Sequence, residues 1–142
     1  MVAPTITFGI LSSMVGDTRS TQRKGDTAVA QAVATFTRIG YDAFLPLTES
    51  APYDLIVDTG KSLKRIQIKY TTDGKVDLRR VHSNSKGYVV KKPLGGTYDW
   101  MYVFRGPTQE EFLIIKPPFG KRSLKMQRNH LLHNVLKNWR DG

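Results

Sequence analysis

The order of patterns along the chain predicts an α/β (α+β) domain: a helix first, then a hairpin-rich mixed sheet, then a closing helix. Three observations carry this. Ala28, Val29, Ala32, Val33 and Phe36 recur at helical spacing and make one apolar face. Two apolar runs, Asp54-Leu-Ile-Val-Asp58 and Arg65-Ile-Gln-Ile-Lys-Tyr70, flank the Gly-containing turn signal Thr59-Gly-Lys-Ser-Leu-Lys64. Beyond Pro117, Pro118 and Gly120 the apolar residues Leu124, Leu131, Leu132, Val135, Leu136 and Trp139 read as a last helix. A chain of 142 residues is long enough to bury a real core.

Residues 1–19 have no clear period and read as an N-terminal arm or extension. Residues 20–142 read as one domain. The first helix starts at Ser20 or Asp26, either of which suits an N-cap, and runs to Ile39, with Gly40 as the residue that ends it. Residues 41–45, 53–58 and 65–71 read as the first three strands. Residues 76–82 and 87–91 look like the two arms of a basic ribbon (76–92) turned at Ser83-Asn84-Ser85. Residues 100–104 and 112–115 form a later pair across Gly106-Pro107, in which Trp100, Tyr102 and Phe104 belong to the core. Ser123 suits the cap of a C-terminal helix over 123–139.

Composition narrows the function. The formal net charge is +10, which favours a polyanionic partner, nucleic acid or an anionic surface. No run of about 18 apolar residues is present, so no membrane-spanning helix is expected. The N-terminal apolar stretch, residues 5–11, has no basic residue before it and is a poor signal peptide. There is no cysteine, which excludes disulfides and Cys-based zinc sites and suits a reducing, cytoplasmic setting. His82, His130 and His133 do not group with carboxylates.

The candidate site lies on the central hairpin. If its two runs are antiparallel neighbours, Asp54 opens one strand, Lys69 ends the other, and both reach the same edge of the sheet. Strand alternation puts Gln67 and Lys69 on one face and Ile66 and Ile68 on the other. A carboxylate, a carboxamide and an ammonium would then converge, an arrangement that suits a divalent metal and hydrolysis of a phosphodiester. Lys69 ends a strongly apolar run, where an ammonium is unfavourable unless paired. A metal needs more than one acid, and Asp26 on the first helix and Glu49 in the loop before Asp54 are the candidates. Asp58 belongs to the turn.

Basic residues crowd the same half of the chain. Lys61 and Lys64 flank the hairpin, Arg79, Arg80, Lys86 and Lys91 crowd the ribbon with Asn84, and Arg122 precedes the last helix. Between residues 78 and 107 the sole acid is Asp99. A two-stranded ribbon fits a major groove, where Arg reads guanine and Asn reads adenine. These eight residues are therefore candidates for DNA contact.

Asp54 after Pro52-Tyr53, then a hairpin, then Gln67-Ile68-Lys69, resembles the core of the PD-(D/E)XK nuclease superfamily. Gln67 stands where most members carry an acid. This is similar to a smaller Gln-X-Lys branch of group I intron homing endonucleases. Lys24-Gly25-Asp26 at the helix, Gly40-Tyr41 after it and Pro46-Leu-Thr-Glu49 before the Asp strand fit that branch, and the likeness spans roughly residues 22–105. In related families the helix acid is commonly a Glu one turn further along, where this chain has Val29 and Ala30.

The resemblance implies a restriction-endonuclease-like core, a central mixed β-sheet flanked by helices. It implies a Mg²⁺- or Mn²⁺-dependent, site-specific endonuclease of double-stranded DNA. Asp54, the Ile68 carbonyl and either Asp26 or Glu49 would hold the metal. Gln67 would be a neutral ligand or orient water, and Lys69 would activate the water and stabilise developing charge. A chain this small needs a homodimer or homotetramer to span a long site. A Holliday junction resolvase fits the same fold, although those usually carry Glu at the Gln67 position. A non-catalytic DNA-binding module is the remaining alternative.

Overall fold

The computed structural model describes residues 20–84, 87–91 and 97–139. Helix α1 (Ser20–Arg38) leads into β1 (Asp42–Phe44), β2 (Leu55–Asp58) and β3 (Leu63–Thr71). Then come β4 (Lys75–Asp77), β5 (Arg80–Asn84) and β6 (Gly87–Lys91), followed by β7 (Trp100–Arg105) and β8 (Glu110–Ile114). The short β9 (Ser123–Lys125), a 3₁₀ turn (Arg128–His130) and α2 (Leu132–Asn138) complete the order.

The central sheet has the order β1-β2-β3-β7-β8 and is mixed: β3 and β7 run parallel, and the other neighbours run antiparallel. This is the architecture that the helix–hairpin–helix order implied. Its strands alternate as the sequence requires. Leu55 and Val57 of β2, Ile66 and Ile68 of β3 and Trp100, Tyr102 and Phe104 of β7 pack with Ala28, Ala32 and Phe36 of α1. Met101, Val103, Phe112 and Ile114 point to the other face, where Val76 of β4, Leu78 and Met126 cover them.

α1 ends as its sequence dictates. Gly40 adopts φ 99°, its N–H donates to the Thr37 carbonyl, and the Tyr41 N–H donates to the Phe36 carbonyl. This is the paired-bond stop that needs a residue free to enter the left-handed region. The stop also carries the expected apolar contact, with the Phe36 and Tyr41 rings stacked at 6.1 Å.

Three expectations need correction. Asp26 is not an N-cap: α1 begins at Ser20, and Asp26 lies inside it, exposed. The ribbon is shorter than 76–92, because Val76 and Asp77 pair instead with Leu124 and Ser123 of β9 in a separate two-stranded sheet. The ribbon proper pairs Arg80–Asn84 with Gly87–Lys91. The C-terminal helix does not start at Ser123: that segment is β9, and α2 begins only at Leu132. The reason is packing. Leu124 and Leu131 serve the β4 face of the sheet while Leu132, Val135 and Leu136 serve the α1 face, so one helix could not present them all. The proposed arm, residues 1–19, lies outside the described residues. Among the described residues, no helix is long and apolar enough to cross a membrane.

Candidate active site

The site forms where β2 leaves β3. Leu55 is the last β2 residue in register, opposite Ile66. Just before it, the Asp54 N–H donates to the Ile66 carbonyl at 2.9 Å. From there the side chain of Asp54 takes over the ladder. Its Oδ2 accepts the Ile68 N–H at 2.8 Å and the Gln67 Nε2–H at 2.9 Å. The hairpin thus joins Asp54 to Gln67, two of the groups that its spacing predicts together with Lys69, and adds the Ile68 N–H.

Backbone direction adds an oxygen. In an extended strand the N–H and C=O of one residue point to the same side. The Ile68 N–H points to the side where β2 has departed, so its carbonyl does too. Odd residues face the other neighbour: the Asp99 N–H donates to the Arg65 carbonyl and the Gly106 N–H to that of Thr71. Asp54 and the Ile68 carbonyl therefore share an edge vacated by the sheet.

Arg65, Gln67 and Lys69 alternate on the face opposite α1. Gln67 and Lys69 stand in register with Met101 and Val103, which belong to the second core cluster. Asp99 anchors the start of this row. Its Oδ2 accepts the Arg65 N–H at 2.8 Å and the Arg65 Nε–H at 3.1 Å, and its Oδ1 accepts from the guanidinium NH2 at 3.2 Å. Burial pushes the Asp99 carboxyl up, but these bonds outweigh it and leave the group below its ordinary value. Sequence reasoning missed this clamp, because nothing local links residues 65 and 99. Parallel pairing of β3 with β7 brings them together.

The other sequence candidates are spread out. Asp26 sits on α1, which packs against the opposite face of the sheet, and Glu49 is exposed in the β1–β2 loop. Neither takes part in the hydrogen bonds that join Asp54, Gln67 and Ile68. The N-terminal part of α1 does reach the site end of β3, where the Lys24 Nζ lies 5.8 Å from the Tyr70 ring centroid. Among the described residues, no three His, Cys, Asp or Glu side chains converge on a metal position. Asp58 accepts from the Gly60 N–H at 2.8 Å and belongs to the turn, as expected.

The basic candidates divide in the same way. Lys61 is exposed in the β2–β3 turn. Lys64 pairs across from Val57 and lies 5.9 Å over the Trp100 ring, on the α1 face and away from Gln67 and Lys69. Arg79 lies outside the ribbon and is held by Asp77, with NH2 to Oδ2 at 2.7 Å and Nε to Oδ1 at 3.0 Å. The hydrogen bond from Arg79 brings the Asp77 carboxyl down to about 2. Arg80, Asn84 and Lys91 lie on the paired ribbon strands, and Lys86 lies outside the described residues. Arg122 adjoins β9, its carbonyl accepting from the Leu78 N–H at 2.9 Å.

A hard divalent cation asks for oxygen ligands, and Mg²⁺ is commonly held by one or two carboxylates together with substrate phosphate and water. One carboxylate, Asp54, and one backbone carbonyl, Ile68, at an edge cleared of its neighbouring strand fit that pattern.

The family model described as PD-(D/E)XK endonuclease matches residues 19–129. Among solved structures, the bacterial homing endonuclease I-Ssp6803I superposes with a TM-score of 0.68 at 22% identity, covering 77% of this chain and 79% of that one. At that identity the likeness speaks for the fold. No curated protein matches the chain.

Proposed function

The chain belongs to the PD-(D/E)XK endonuclease family, and we propose that it is a divalent-metal-dependent, site-specific endonuclease of double-stranded DNA, of the homing type. The observation that carries this is the Asp54 side chain bonded to both Gln67 and the Ile68 N–H at the edge where β2 leaves β3.

Asp54 and the Ile68 carbonyl would hold a Mg²⁺ or Mn²⁺ ion, which when bound supplies Lewis-acid polarisation of the phosphoryl oxygens. Gln67 steadies the Asp54 carboxylate without adding charge. Lys69, two residues on along the same face, orients the attacking water and stabilises charge developing on the phosphate oxygens. Asp26 and Glu49 stay candidates for a second acid once DNA is bound. The ribbon strands, with Arg80, Asn84 and Lys91, suit the major groove, and the net charge of +10 suits the phosphate backbone. The likeness to a homing endonuclease supports a long target site, for which a homodimer or homotetramer is the natural unit.

The test is cleavage of plasmid and linear duplex DNA with Mg²⁺ or Mn²⁺, against EDTA. Cleavage should vanish in Asp54→Ala and Lys69→Ala while DNA binding survives. Wild-type activity of Asp54→Ala under matched conditions would sink the assignment.

A further inference from the structure

A second polar feature lies beside the candidate site. The small β4–β9 sheet closes over the face that carries Gln67 and Lys69, with Val76 packed in the same cluster as Met101 and Val103. It is tied tightly to the end of β3. The Thr71 hydroxyl donates to the Lys75 carbonyl at 2.9 Å, and the Gly74 N–H donates to the Thr71 hydroxyl at 3.0 Å. Antiparallel pairing sets Asp77 opposite Ser123, and the Leu78–Arg122 backbone bond extends that pairing by one residue. Two basic segments far apart in the chain thereby meet. Between them lies an open cavity of about 440 Å³ lined by Asp73, Lys75, Asp77, Arg79, Arg122 and Ser123.

The lining is not a plain solvated face. Three cations and a hydroxyl line it with two carboxylates. Asp77 is engaged by the guanidinium fork of Arg79, and Asp73 Oδ1 accepts from the Thr71 hydroxyl and the Lys75 N–H, which leaves the cations in excess by one. The Asp77 pairing occupies the Arg79 guanidinium, whose partial exposure leaves it able to change partners. The Lys69 ammonium also helps hold the Asp77 carboxyl down, which puts the cavity within electrostatic reach of the candidate site.

We propose that this cavity receives a backbone phosphate of the DNA strand that flanks the phosphate to be hydrolysed, with Lys75, Arg122 and the Ser123 hydroxyl as its donors and Asp77 as a counter-charge that restrains Arg79 until DNA arrives. The proposal rests on the endonuclease reading for the identity of the strand. Arg122 and Lys75 supply binding. Asp77 opposes it, because its negative charge faces the incoming phosphate and occupies Arg79. The two sides of one cavity should therefore respond to neutralisation with opposite signs.

The experiment measures affinity of the full chain for a duplex in EDTA, where nothing is cut, across a salt series. Arg122→Gln and Lys75→Gln should each weaken binding and make the plot of log affinity against log salt shallower by about one. Asp77→Asn should tighten binding and steepen the slope. Unchanged slopes in both Arg122→Gln and Lys75→Gln overturn the proposal, as does weaker binding by Asp77→Asn. Arg122→Lys keeps the charge and should retain most of the slope; if it behaves like Arg122→Gln, lost packing rather than lost phosphate contact explains the result and the proposal falls. Cleavage by the wild-type chain in Mn²⁺ is scored separately. Slope changes of the expected signs without cleavage uphold the phosphate site and discard the nuclease reading. Cleavage with flat slopes does the reverse.

Discussion

At Gln67 a single atom decides the chemistry. Its Nε2–H donates to Asp54 Oδ2 at 2.9 Å, so a Glu in its place would set two carboxyl oxygens at hydrogen-bond distance with no proton between them. Like charges so close keep one carboxyl protonated and raise its pKa. A raised folded pKa gives stability that is complete below the unfolded value and fades as pH climbs through the folded one. Metal-free Gln67→Glu should therefore melt below wild type at neutral pH and approach it near pH 4. Added Mn²⁺ should restore the neutral-pH melting point and support cleavage, whereas Gln67→Ala should be inactive with either metal. Thermal melts at several pH values with and without Mn²⁺ check this. If Gln67→Glu melts like wild type at every pH, the amide–carboxylate bond is not maintained in solution. Asp77 makes the opposite case. Its carboxyl is brought down to about 2 by the Arg79 hydrogen bonds, so its contribution is present above about pH 4 and lost as pH falls through about 2. Wild type should outlast Asp77→Asn slightly above pH 4, and acid should erase the gap. The pair is well exposed, so the gap is small.

Among elements, α1 depends on Phe36 and the sheet on Gly106. Phe36 is fully buried and its ring meets Tyr41, Trp100 and Tyr102. Phe36→Ala should cost about 3–5 kcal/mol, read by chemical denaturation. Gly106 matters for a different reason: a Cβ built there falls inside the Tyr70 hydroxyl and ring. Gly106→Ala must push Tyr70 away, at about 1–3 kcal/mol, and moves the ring that sits beneath Lys24. Tyr70→Phe in the same chain should recover part of that loss, because it removes the nearest clashing atom. No recovery would show that the backbone, not the ring, gives way. The elements legible in the sequence were those with a local signal. The 3.6-residue period marked α1, two apolar runs about a Gly-containing turn marked β2 and β3, and Gly40 marked the stop between helix and strand. Hidden from local reading were β4 and β9, three residues each, whose partner lies at the other end of the chain. Ser123 looked like a helix cap because serines cap helices, yet it pairs opposite Asp77. The same blindness covers the Arg65–Asp99 clamp, which needs parallel β3–β7 pairing, and the Lys75–Arg122 cavity, which needs β4 to pair with β9. Asp54 and Gln67 were legible together because one hairpin holds both, whereas the Ile68 N–H bond to Asp54 depends on where β2 leaves β3.

For the whole molecule the governing quantity is charge. Ion pairing leaves the net charge unchanged, and among the described residues the pairs of Arg65 with Asp99, Arg79 with Asp77 and Arg105 with Glu110 are exposed or half-exposed. A net charge of +10 on a chain of 142 residues disfavours compactness through self-repulsion and is relieved by a polyanion. If the chain works on DNA, that charge is spread along phosphates, and each neutralised phosphate releases condensed counterions. A protein making about six to ten such contacts loses about 10³–10⁵ in affinity between 50 and 200 mM salt. We expect a loss in that range for wild type on random-sequence duplex. On a cognate site the slope should be similar and the affinity higher throughout, because base contacts in the groove add free energy without releasing further ions. Filter binding or fluorescence anisotropy at five salt concentrations measures both lines. A slope equivalent to fewer than about three contacts would mean that the basic surface serves something other than the DNA backbone. Parallel lines with a constant offset would separate recognition by the ribbon from attraction by the rest of the surface. If the offset vanishes on shortening the duplex to half a site while the slope falls by half, each copy of the chain reads one half-site and the working unit is a symmetric oligomer.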